Sequence, residues 1–173
     1  RKKIKIWCAA CSTGEEAYTL SIILHEMLED YENWEVEIIA SDINTEVLQH
    51  AKIGLYESRA VRDVPLEYLE KYFTKRHDKY LINLNVRKPV TFKRINLMDE
   101  KEMSSIRGCD FIFCRNCLIY FNDESRKSVL SSFYKSLNPG GFIFLGYSES
   151  VGRISSAYKV QRIGDAIVYS RPK

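Results

Sequence analysis

The stretch IKIWCAACSTGEEAYTL, residues 4–20, begins as an apolar run and then turns abruptly through small residues. The run predicts a β-strand over Lys3–Ala9, and the small residues after it predict a tight turn. Glu15 and Glu16 stand where a helix begins, and carboxylates in a first turn favour a helix through its dipole. A strand, a close turn and a helix in this order are typical of the opening unit of a parallel α/β sheet.

The remaining sequence continues this alternation of short apolar runs with segments of helical period. We predict four further strands, at Glu35–Ala40, Val90–Ile95, Asp110–Cys114 and Phe142–Leu145. We predict helices at Glu15–Asp30, Thr45–Ile53, Glu67–Phe73 and Asp123–Leu137. The tail, Tyr158–Ser170, alternates and turns at Gly164-Asp165, which indicates an antiparallel hairpin. The predicted fold is therefore α/β and Rossmann-like: a mostly parallel sheet with helices on both faces and a hairpin at one edge.

No repeat, low-complexity tract or linker divides the sequence, so we expect one domain over residues 1–173. One segment departs from the alternation: Tyr80–Val86, a break at Arg87-Lys88-Pro89, and then Val90–Ile95. It predicts either a small inserted antiparallel β-subdomain, at about residues 79–95, or an ordinary long connection. Inserted segments of this kind often carry specificity for a partner.

Composition limits the functions that the chain can have. With 45% hydrophobic and 28% charged residues, 173 residues suffice for one globular domain with a substantial core. No apolar run is long enough for a membrane span, and the basic first residues are not followed by a signal-peptide pattern. The net charge of +3 is too small to indicate a nucleic-acid partner. We therefore expect a cytoplasmic protein that neither binds nucleic acid nor inserts into a membrane.

Two CxxC pairs stand out among the five cysteines: Cys8 with Cys11, and Cys114 with Cys117, while Cys109 is the fifth. Such pairs are typical of a tetrahedral zinc site. These pairs, however, lie about a hundred residues apart, and each straddles the end of an apolar run. We interpret the cysteines as small core residues and expect no metal, and the odd count argues against a disulfide framework.

The residues directly after each strand are the candidate site, because open α/β sheets bind ligands beyond the carboxyl ends of their strands. The turn after the first strand lacks the GxGxxG and GK[ST] spacings of phosphate-binding loops. Its carboxylates would also repel phosphate, which favours a ligand that is neutral or cationic at this point. A sulfonium cofactor with a free amino group meets that requirement.

Polar groups follow the other predicted strands as well. Asp42 follows the second strand, where an acidic residue commonly accepts hydrogen bonds from ribose hydroxyls, although it could instead cap the next helix. Asn96-Leu97 follows the third strand. Arg115-Asn116 follows the fourth, and arginine can orient a carboxylate through paired hydrogen bonds. Tyr120 comes close behind and could contact a substrate or simply pack in the core. The histidines follow none of these strands, and we interpret them as structural or surface residues: His25, His50 and His77.

An ordered set of motifs resembles the CheR-type chemotaxis methyltransferases. The set comprises WCAACSTGEEAYTL, ASDINTEVLQHAKIGLY, Asn96-Leu97, FIFCRNCLIYF and GGFIFLGYSES, and it runs from about Arg1 to about Tyr169. The resemblance implies the fold of S-adenosylmethionine-dependent methyltransferases. It also implies methyl transfer from S-adenosyl-L-methionine to glutamate side chains of chemoreceptors, with S-adenosyl-L-homocysteine as the product.

The resemblance further implies roles for particular residues. The implied cofactor contacts are Glu16, Asp42, Asn96, Leu97, Arg115 and Asn116. Asp42 would hold the ribose, Glu16 would reach the ribose or the methionine portion, and Asn96-Leu97 would flank the adenine. Arg115, Asn116 and Tyr120 would border the methyl-transfer position, with Arg115 and Tyr120 as the catalytic residues. The implied partner is the cytoplasmic domain of chemoreceptors, gripped by the β-subdomain, and we expect a monomer.

The sequence departs from the family pattern in two places. Family members usually begin with a small helical domain and a linker that helps to close the site, and neither precedes Arg1 here. Tyr147 also stands where relatives often have histidine. Two other functions therefore stay open: a cofactor-binding module that docks to receptors without turnover, and methylation of another substrate, with Cys117 as a candidate nucleophile.

Overall fold

The computed structural model describes residues 2–146, 149–150 and 155–173. Its strands, in chain order, are β1 Lys3–Ala9, β2 Glu35–Asp42, β3 Leu55–Glu57, β4 Phe73–Arg76, β5 Lys79–Ile82, β6 Val90–Arg94, β7 Cys109–Cys114, β8 Leu137–Leu145, β9 Lys159–Ile163 and β10 Ala166–Ser170. Its α-helices are α1 Glu15–Met27, α2 Thr45–Ile53, α3 Leu66–Tyr72, α4 Leu84–Arg87, α5 Glu100–Met103 and α6 Asp123–Ser136.

Seven of these strands form the main sheet, in the spatial order β6-β2-β1-β7-β8-β10-β9. The first five in that order pair in parallel, and β10 runs antiparallel to both β8 and β9. The predicted fold class, a mostly parallel sheet with a hairpin of antiparallel strands at one end, is therefore confirmed.

Alternation along β1 explains why helices cover both faces of the sheet. Trp7 is fully buried on one face and packs edge-on against Phe133 of α6, with ring centroids 5.0 Å apart. Ile6 and Cys8 point to the opposite face and lie in a second cluster with Ala17 of α1. Because successive side chains of a strand point to opposite faces, each buried strand contributes to two separate cores.

The ends of two helices differ from the prediction by a few residues. The first helix ends at Met27 and not at Asp30, which adopts a left-handed conformation with φ of 53°. The last helix ends at Ser136, and β8 begins immediately, at Leu137, so the Asn138-Pro139-Gly140-Gly141 segment belongs to the strand. Proline and glycine stop the helix as expected, but they are tolerated at the irregular start of β8, where its pairing with β7 shifts register.

The predicted β-subdomain over residues 79–95 was wrong in its boundaries. Val90–Arg94 is β6, which pairs in parallel with β2 in the main sheet. The separate three-stranded sheet has the order β3-β5-β4, so its strands come from residues 55–57, 73–76 and 79–82. The sequence pattern identified the extended segment that contains β5, but it predicted neither β3 nor β4, and β3 pairs with β5 from more than twenty residues earlier in the chain.

The subdomain packs closely on α1 and on the turn before it. Tyr56 of β3 donates a hydrogen bond to the Thr13 carbonyl at 2.7 Å, and its ring meets Tyr18 of α1 edge-on. The buried Ser21 hydroxyl of α1 donates to the carbonyl of Val86 at 2.8 Å, in the short helix α4 that follows β5. The subdomain is therefore held against the first strand-turn-helix unit by a mixed polar and aromatic contact.

None of the helices in the described ranges is both long enough and apolar enough to cross a bilayer. The five cysteines are all free thiols.

Gly54 joins α2 to the subdomain and provides a test of this packing. Its φ is +68°, and an added Cβ would lie 2.5 Å from Cγ2 of the buried Ile82. We expect Gly54→Ala to lower the free energy of unfolding by about 2–4 kcal/mol, from backbone strain and overpacking together. Urea denaturation followed by circular dichroism measures the loss.

Gly164→Ala is the matched control, because Gly164 also has positive φ, +59°, but no atom lies within 4 Å of the added Cβ. It should cost only about 1 kcal/mol, from backbone strain alone. Equal losses in the two variants would show that the contact with Ile82 does not matter.

Candidate functional site

The carboxyl ends of β1, β2, β6 and β7 surround a pocket of about 360 Å³. This volume lies in the range of sites for small molecules. The pocket is lined by Ala10, Asp42, Ile43, Ile95, Asn96, Leu97, Arg115, Asn116, Cys117, Tyr120 and Phe121. Six of the seven predicted site residues thus converge on one cavity, and Glu16 is the one that does not line it.

Asp42 ends β2 and is held rigidly by backbone groups. Its Oδ2 accepts the Ser12 N–H at 2.9 Å, and its Oδ1 accepts the Asn44 N–H at 3.0 Å. The cap of α2 is Asn44, whose side chain accepts the N–H groups of Glu46 and Val47. Asp42 is therefore not the helix cap, and its carboxylate faces the pocket with lone pairs left for further donors.

Three backbone N–H groups of the turn after β1 are hydrogen-bonded, two of them to acceptors at the end of β2. Cys11 donates to the Ser41 carbonyl at 2.8 Å, Ser12 donates to Asp42, and Gly14 donates to the Cys11 carbonyl at 3.0 Å. Ala10 and Ser12 both have positive φ, which is a costly conformation for residues with a Cβ. These three N–H groups are therefore already paired within the protein.

The start of α1 has no side-chain cap. Gly14 occupies the cap position in a left-handed conformation, and it has no side chain with which to cap the helix. An added Cβ on Gly14 would meet the Cβ of Ala51 at 2.9 Å, so the close packing of α2 requires glycine. Neither Ser12 nor Thr13 caps the helix, because Gly14 occupies the cap position.

Glu16 lies beside the pocket and contacts Arg115. Its Oε2 is 3.3 Å from the Arg115 Nη1, and its Oε1 accepts a hydrogen bond from the buried Cys8 thiol at 3.2 Å. Arg115 remains about half exposed, with 53% of its side-chain surface accessible. The ion pair therefore fixes one edge of the guanidinium and leaves the rest available to a ligand.

Asn96 and Leu97 follow β6 in a short turn. The Asn96 side chain accepts the Met98 N–H at 2.9 Å, and its own N–H donates to Glu102 at 2.7 Å. Glu102 also pairs with Arg94 at 3.5 Å, so one carboxylate connects α5 to the end of β6. Glu102 lies in α5 and not directly after a strand, so the search for polar residues at strand ends did not identify it.

The lining of the pocket includes two apolar side chains beside its polar groups. Ile43 stands directly after Asp42 and is 54% exposed, which is high for isoleucine, and Leu97 packs against the main core. An apolar slot beside a carboxylate suits a flat ring joined to a sugar. Sequence reasoning missed Ile43 because it weighed only the polar residues after each strand.

Glu149 is a further residue that sequence reasoning missed, although it belongs to the quoted GGFIFLGYSES motif. It follows β8 and accepts hydrogen bonds from three backbone N–H groups around the pocket, those of Gly146, Asn116 and Ile119. The rule applied to the other strands, that the residues after a strand form the site, would have found it. The predicted departure at Tyr147 lies outside the described residues.

The thiols near the pocket differ in the direction of their pKa shifts. Burial raises the pKa of Cys8 well above its usual value, and burial together with the Asp42 charge raises the pKa of Cys11 to about 12. Both are therefore neutral thiols near pH 7. The pKa of Cys117, which lines the pocket, is lowered by a hydrogen bond from the Cys114 thiol, although burial opposes the shift.

The two CxxC pairs do not combine into a metal site. In the part of the chain that the structure describes, no group of three or more His, Cys, Asp or Glu side chains is arranged to hold a metal ion. None of the three histidines lines the pocket at the carboxyl ends of β1, β2, β6 and β7. His25 stacks on Tyr31, with ring centroids 3.8 Å apart, and its Nδ1 lies 2.8 Å from the Ser21 carbonyl oxygen.

Comparison with solved structures supports the fold. A glycopeptide N-methyltransferase, MtfA, complexed with S-adenosyl-L-homocysteine, matches 97% of this chain and 53% of its own, with a TM-score of 0.50 and 16% identity. A DhpI-SAM-HEP complex matches 98% of this chain and 63% of its own, with a TM-score of 0.50 and 14% identity. At these identities the likeness concerns the fold alone.

Comparison with known sequences is more specific. Chemotaxis protein methyltransferase 2 of Vibrio cholerae is 44% identical over 170 residues, which is 98% of this chain and 59% of that protein. A chemotaxis protein methyltransferase of Borreliella burgdorferi is 37% identical and covers 86% of this chain and 53% of that protein. The chain thus spans little more than half the length of these relatives.

A family model described as "CheR methyltransferase, SAM binding domain" matches residues 1–166. The resemblance inferred from the motifs is thereby confirmed, and so is S-adenosylmethionine as the cofactor of this domain. The chain belongs to the CheR methyltransferase family.

Proposed function

We propose that the protein transfers the methyl group of S-adenosyl-L-methionine to glutamate side chains of chemoreceptors. The observation that supports this most strongly is the convergence of Asp42, Asn96-Leu97, Arg115-Asn116 and Tyr120 on one pocket. The names of the relatives, which are chemotaxis protein methyltransferases, point in the same direction. The reaction would yield glutamate methyl esters and S-adenosyl-L-homocysteine, and we propose that it takes place in the cytoplasm.

The described residues fit the cofactor. The fixed Asp42 carboxylate would accept hydrogen bonds from the ribose hydroxyls, and Ile43 and Leu97 would enclose the adenine ring. Glu16 would provide negative charge near the cationic end, where a phosphate would be repelled. When bound, the cofactor supplies an electrophilic methyl group on a sulfonium.

The proposed reaction requires little acid or base chemistry from the chain. A glutamate carboxylate has a reference pKa of about 4.3, so it is already an ionised nucleophile at neutral pH. Arg115 would hold one oxygen of this carboxylate, and the exposed Tyr120 would form the other side of the entrance. Catalysis would come from aligning the nucleophile and removing its water.

Two alternatives remain. Cys117 lines the pocket with a lowered pKa, which favours methylation of another substrate through a cysteine nucleophile. The other alternative is a module that binds the cofactor and docks to receptors without turnover.

One labelling experiment separates the three functions. The intact protein is supplied with methyl-labelled cofactor and receptor-containing membranes, and the products are treated with mild base. We expect the label to leave as volatile methanol, because carboxyl methyl esters hydrolyse and N-methyl, C-methyl and S-methyl products do not. Label that is transferred but stays bound to its product would favour another substrate, and cofactor binding without transfer would favour the docking module.

The proposed roles of Asp42 and Arg115 predict that their substitution changes different quantities: cofactor affinity for Asp42 and turnover for Arg115. Asp42→Ala should weaken cofactor binding about tenfold or more, since a charged acceptor for two ribose hydroxyls is lost. Arg115→Ala should lower turnover by about a hundredfold with a smaller effect on cofactor affinity, since its proposed contact is with the incoming carboxylate. Calorimetry and steady-state kinetics measure the two quantities.

Asp165→Asn is a suitable control, because this hairpin carboxylate is fully exposed and far along the chain from the pocket. Unchanged affinity in Asp42→Ala would remove Asp42 from the ribose role. An Arg115→Ala variant that loses affinity but keeps turnover would make Arg115 a cofactor contact only.

We further propose that the β-subdomain contacts the receptor's cytoplasmic domain. Its β4-β5 hairpin exposes Lys75 and Arg76, and a groove of about 480 Å³ lies between the subdomain and the turn before α1. The acceptor glutamates carry negative charge, so a basic hairpin would favour their approach. The subdomain's contacts with α1 would keep this surface at a fixed distance from the pocket.

Charge reversal tests this docking surface. We expect Lys75→Glu with Arg76→Glu to raise the KM for receptor about tenfold and to leave cofactor affinity unchanged, because neither side chain lines the pocket. Lys127→Glu with Lys135→Glu on α6 reverses the same number of charges on another face. Equal effects from both double variants would indicate a general charge effect and not a docking site.

A further inference from the structure

Glu149 makes an unusual set of contacts for a residue outside helix and strand. Its Oε2 accepts the Gly146 N–H at 2.6 Å and the Asn116 N–H at 2.9 Å, and its Oε1 accepts the Ile119 N–H at 3.2 Å. Two of these donors belong to residues 115–121, the loop after β7. Hydrogen bonds from N–H groups to a carboxylate are stronger than those between neutral groups.

The loop over residues 115–121, which we call the β7 loop, has little regular structure of its own. Only a single 3₁₀ turn, Leu118–Tyr120, lies within it, and Asn116 adopts a positive φ of 57°. A residue with a Cβ holds this conformation only when its surroundings fix it. The β7 loop nevertheless carries Arg115, Asn116 and Tyr120, which all line the pocket.

Two charged side chains hold the β7 loop, and they bind opposite kinds of backbone group. Arg126 of α6 donates to the carbonyls of Leu118 at 2.6 Å and Ile119 at 3.3 Å. Glu149 accepts N–H groups from the same loop. The arginine thus satisfies the carbonyls at one end of the 3₁₀ turn, and the glutamate satisfies N–H groups that would otherwise lack partners.

The position of Glu149 is itself fixed from two sides. An added Cβ on Gly146 would clash with the Asn116 Oδ1 and lie 2.7 Å from the Glu149 Oε2, so the carboxylate and the amide fill the space beside this glycine. The next residue, Ser150, shares a 3.3 Å hydrogen bond with the hydroxyl of the buried Tyr169 in β10. These contacts connect the β7 loop to β8 and β10 of the main sheet.

We propose that Glu149 is a positioning residue that fixes the β7 loop in the shape that lines the cofactor pocket. It acts through the backbone of Asn116 and Ile119 and is not itself among the pocket-lining residues. The inference rests on the proposed cofactor and catalytic roles of Arg115, Asn116 and Tyr120. Loss of the carboxylate would loosen the backbone that carries those three side chains, although Arg126 would still hold the Leu118 and Ile119 carbonyls.

The test compares Glu149→Ala with Glu149→Gln in the intact protein, with S-adenosyl-L-homocysteine as the calorimetric probe. Glu149→Ala should weaken binding about tenfold or more, since all three contacts are lost. Glu149→Gln should weaken it only about threefold, because its remaining oxygen can still accept from Gly146 and Asn116 while the Ile119 contact is lost. Asp165→Asn controls for the loss of one negative charge and should bind normally.

Thermal unfolding of the same variants separates positioning from a purely structural role. We expect Glu149→Gln to melt like the wild type and still to show its threefold weaker binding. Binding by Glu149→Ala within twofold of the wild type would overturn the proposal. The proposal would also be overturned if Glu149→Ala and Glu149→Gln lost binding equally and in proportion to their losses in melting temperature.

The readout is cofactor binding and needs no receptor. If wild-type protein releases no methanol in the labelling experiment, the proposed glutamate specificity fails and the binding result for Glu149 stands. If methanol is released but Glu149→Ala binds the probe normally, only the positioning role fails.

Discussion

The hydrogen bond from the Ser12 N–H to the Asp42 carboxylate, 2.9 Å long, connects the two strands on which the pocket depends. It exists because β1 and β2 pair in parallel register from Lys3 opposite Glu35 to Ala9 opposite Ser41. That register brings the turn after one strand beside the acidic end of the other. The tight turn, with Ala10 and Ser12 in positive φ, is the conformation that allows the contact. The proposed ribose site depends on this junction, because it fixes the Asp42 carboxylate at the edge of the pocket.

Three carboxylates around the pocket accept hydrogen bonds from backbone N–H groups and so fix the loops that line it. Asp42 fixes the β1 turn, Glu102 fixes Asn96, and Glu149 fixes the β7 loop. In each case the carboxylate accepts N–H groups of residues that follow a strand and have no partner in the sheet. Such preorganisation suits a reaction in which the nucleophile arrives already ionised, because alignment is then the main task of the protein.

The sequence predicted much of the fold, and it did so through local patterns. The five parallel strands and the terminal hairpin were found from apolar runs and from alternation, because buried strands require those patterns wherever they lie. Six of the predicted site residues line one pocket, and the sequence placed them near strand ends because a strand end is recognisable in sequence. The subdomain was not found correctly, since β3 pairs with β5 across a long connection and nothing local identifies a strand's partner. Glu102 and Glu149 were missed because their importance comes from backbone groups that only folding brings near them.

The central claim is that the pocket at the ends of β1, β2, β6 and β7 holds the cofactor. A crystal structure of the intact protein with S-adenosyl-L-homocysteine tests it most directly. The account predicts both ribose hydroxyls within hydrogen-bonding distance of the Asp42 carboxylate and the adenine between Ile43 and Leu97. A ligand bound elsewhere, such as in the groove lined by Thr13, His50 and Tyr56, would contradict it.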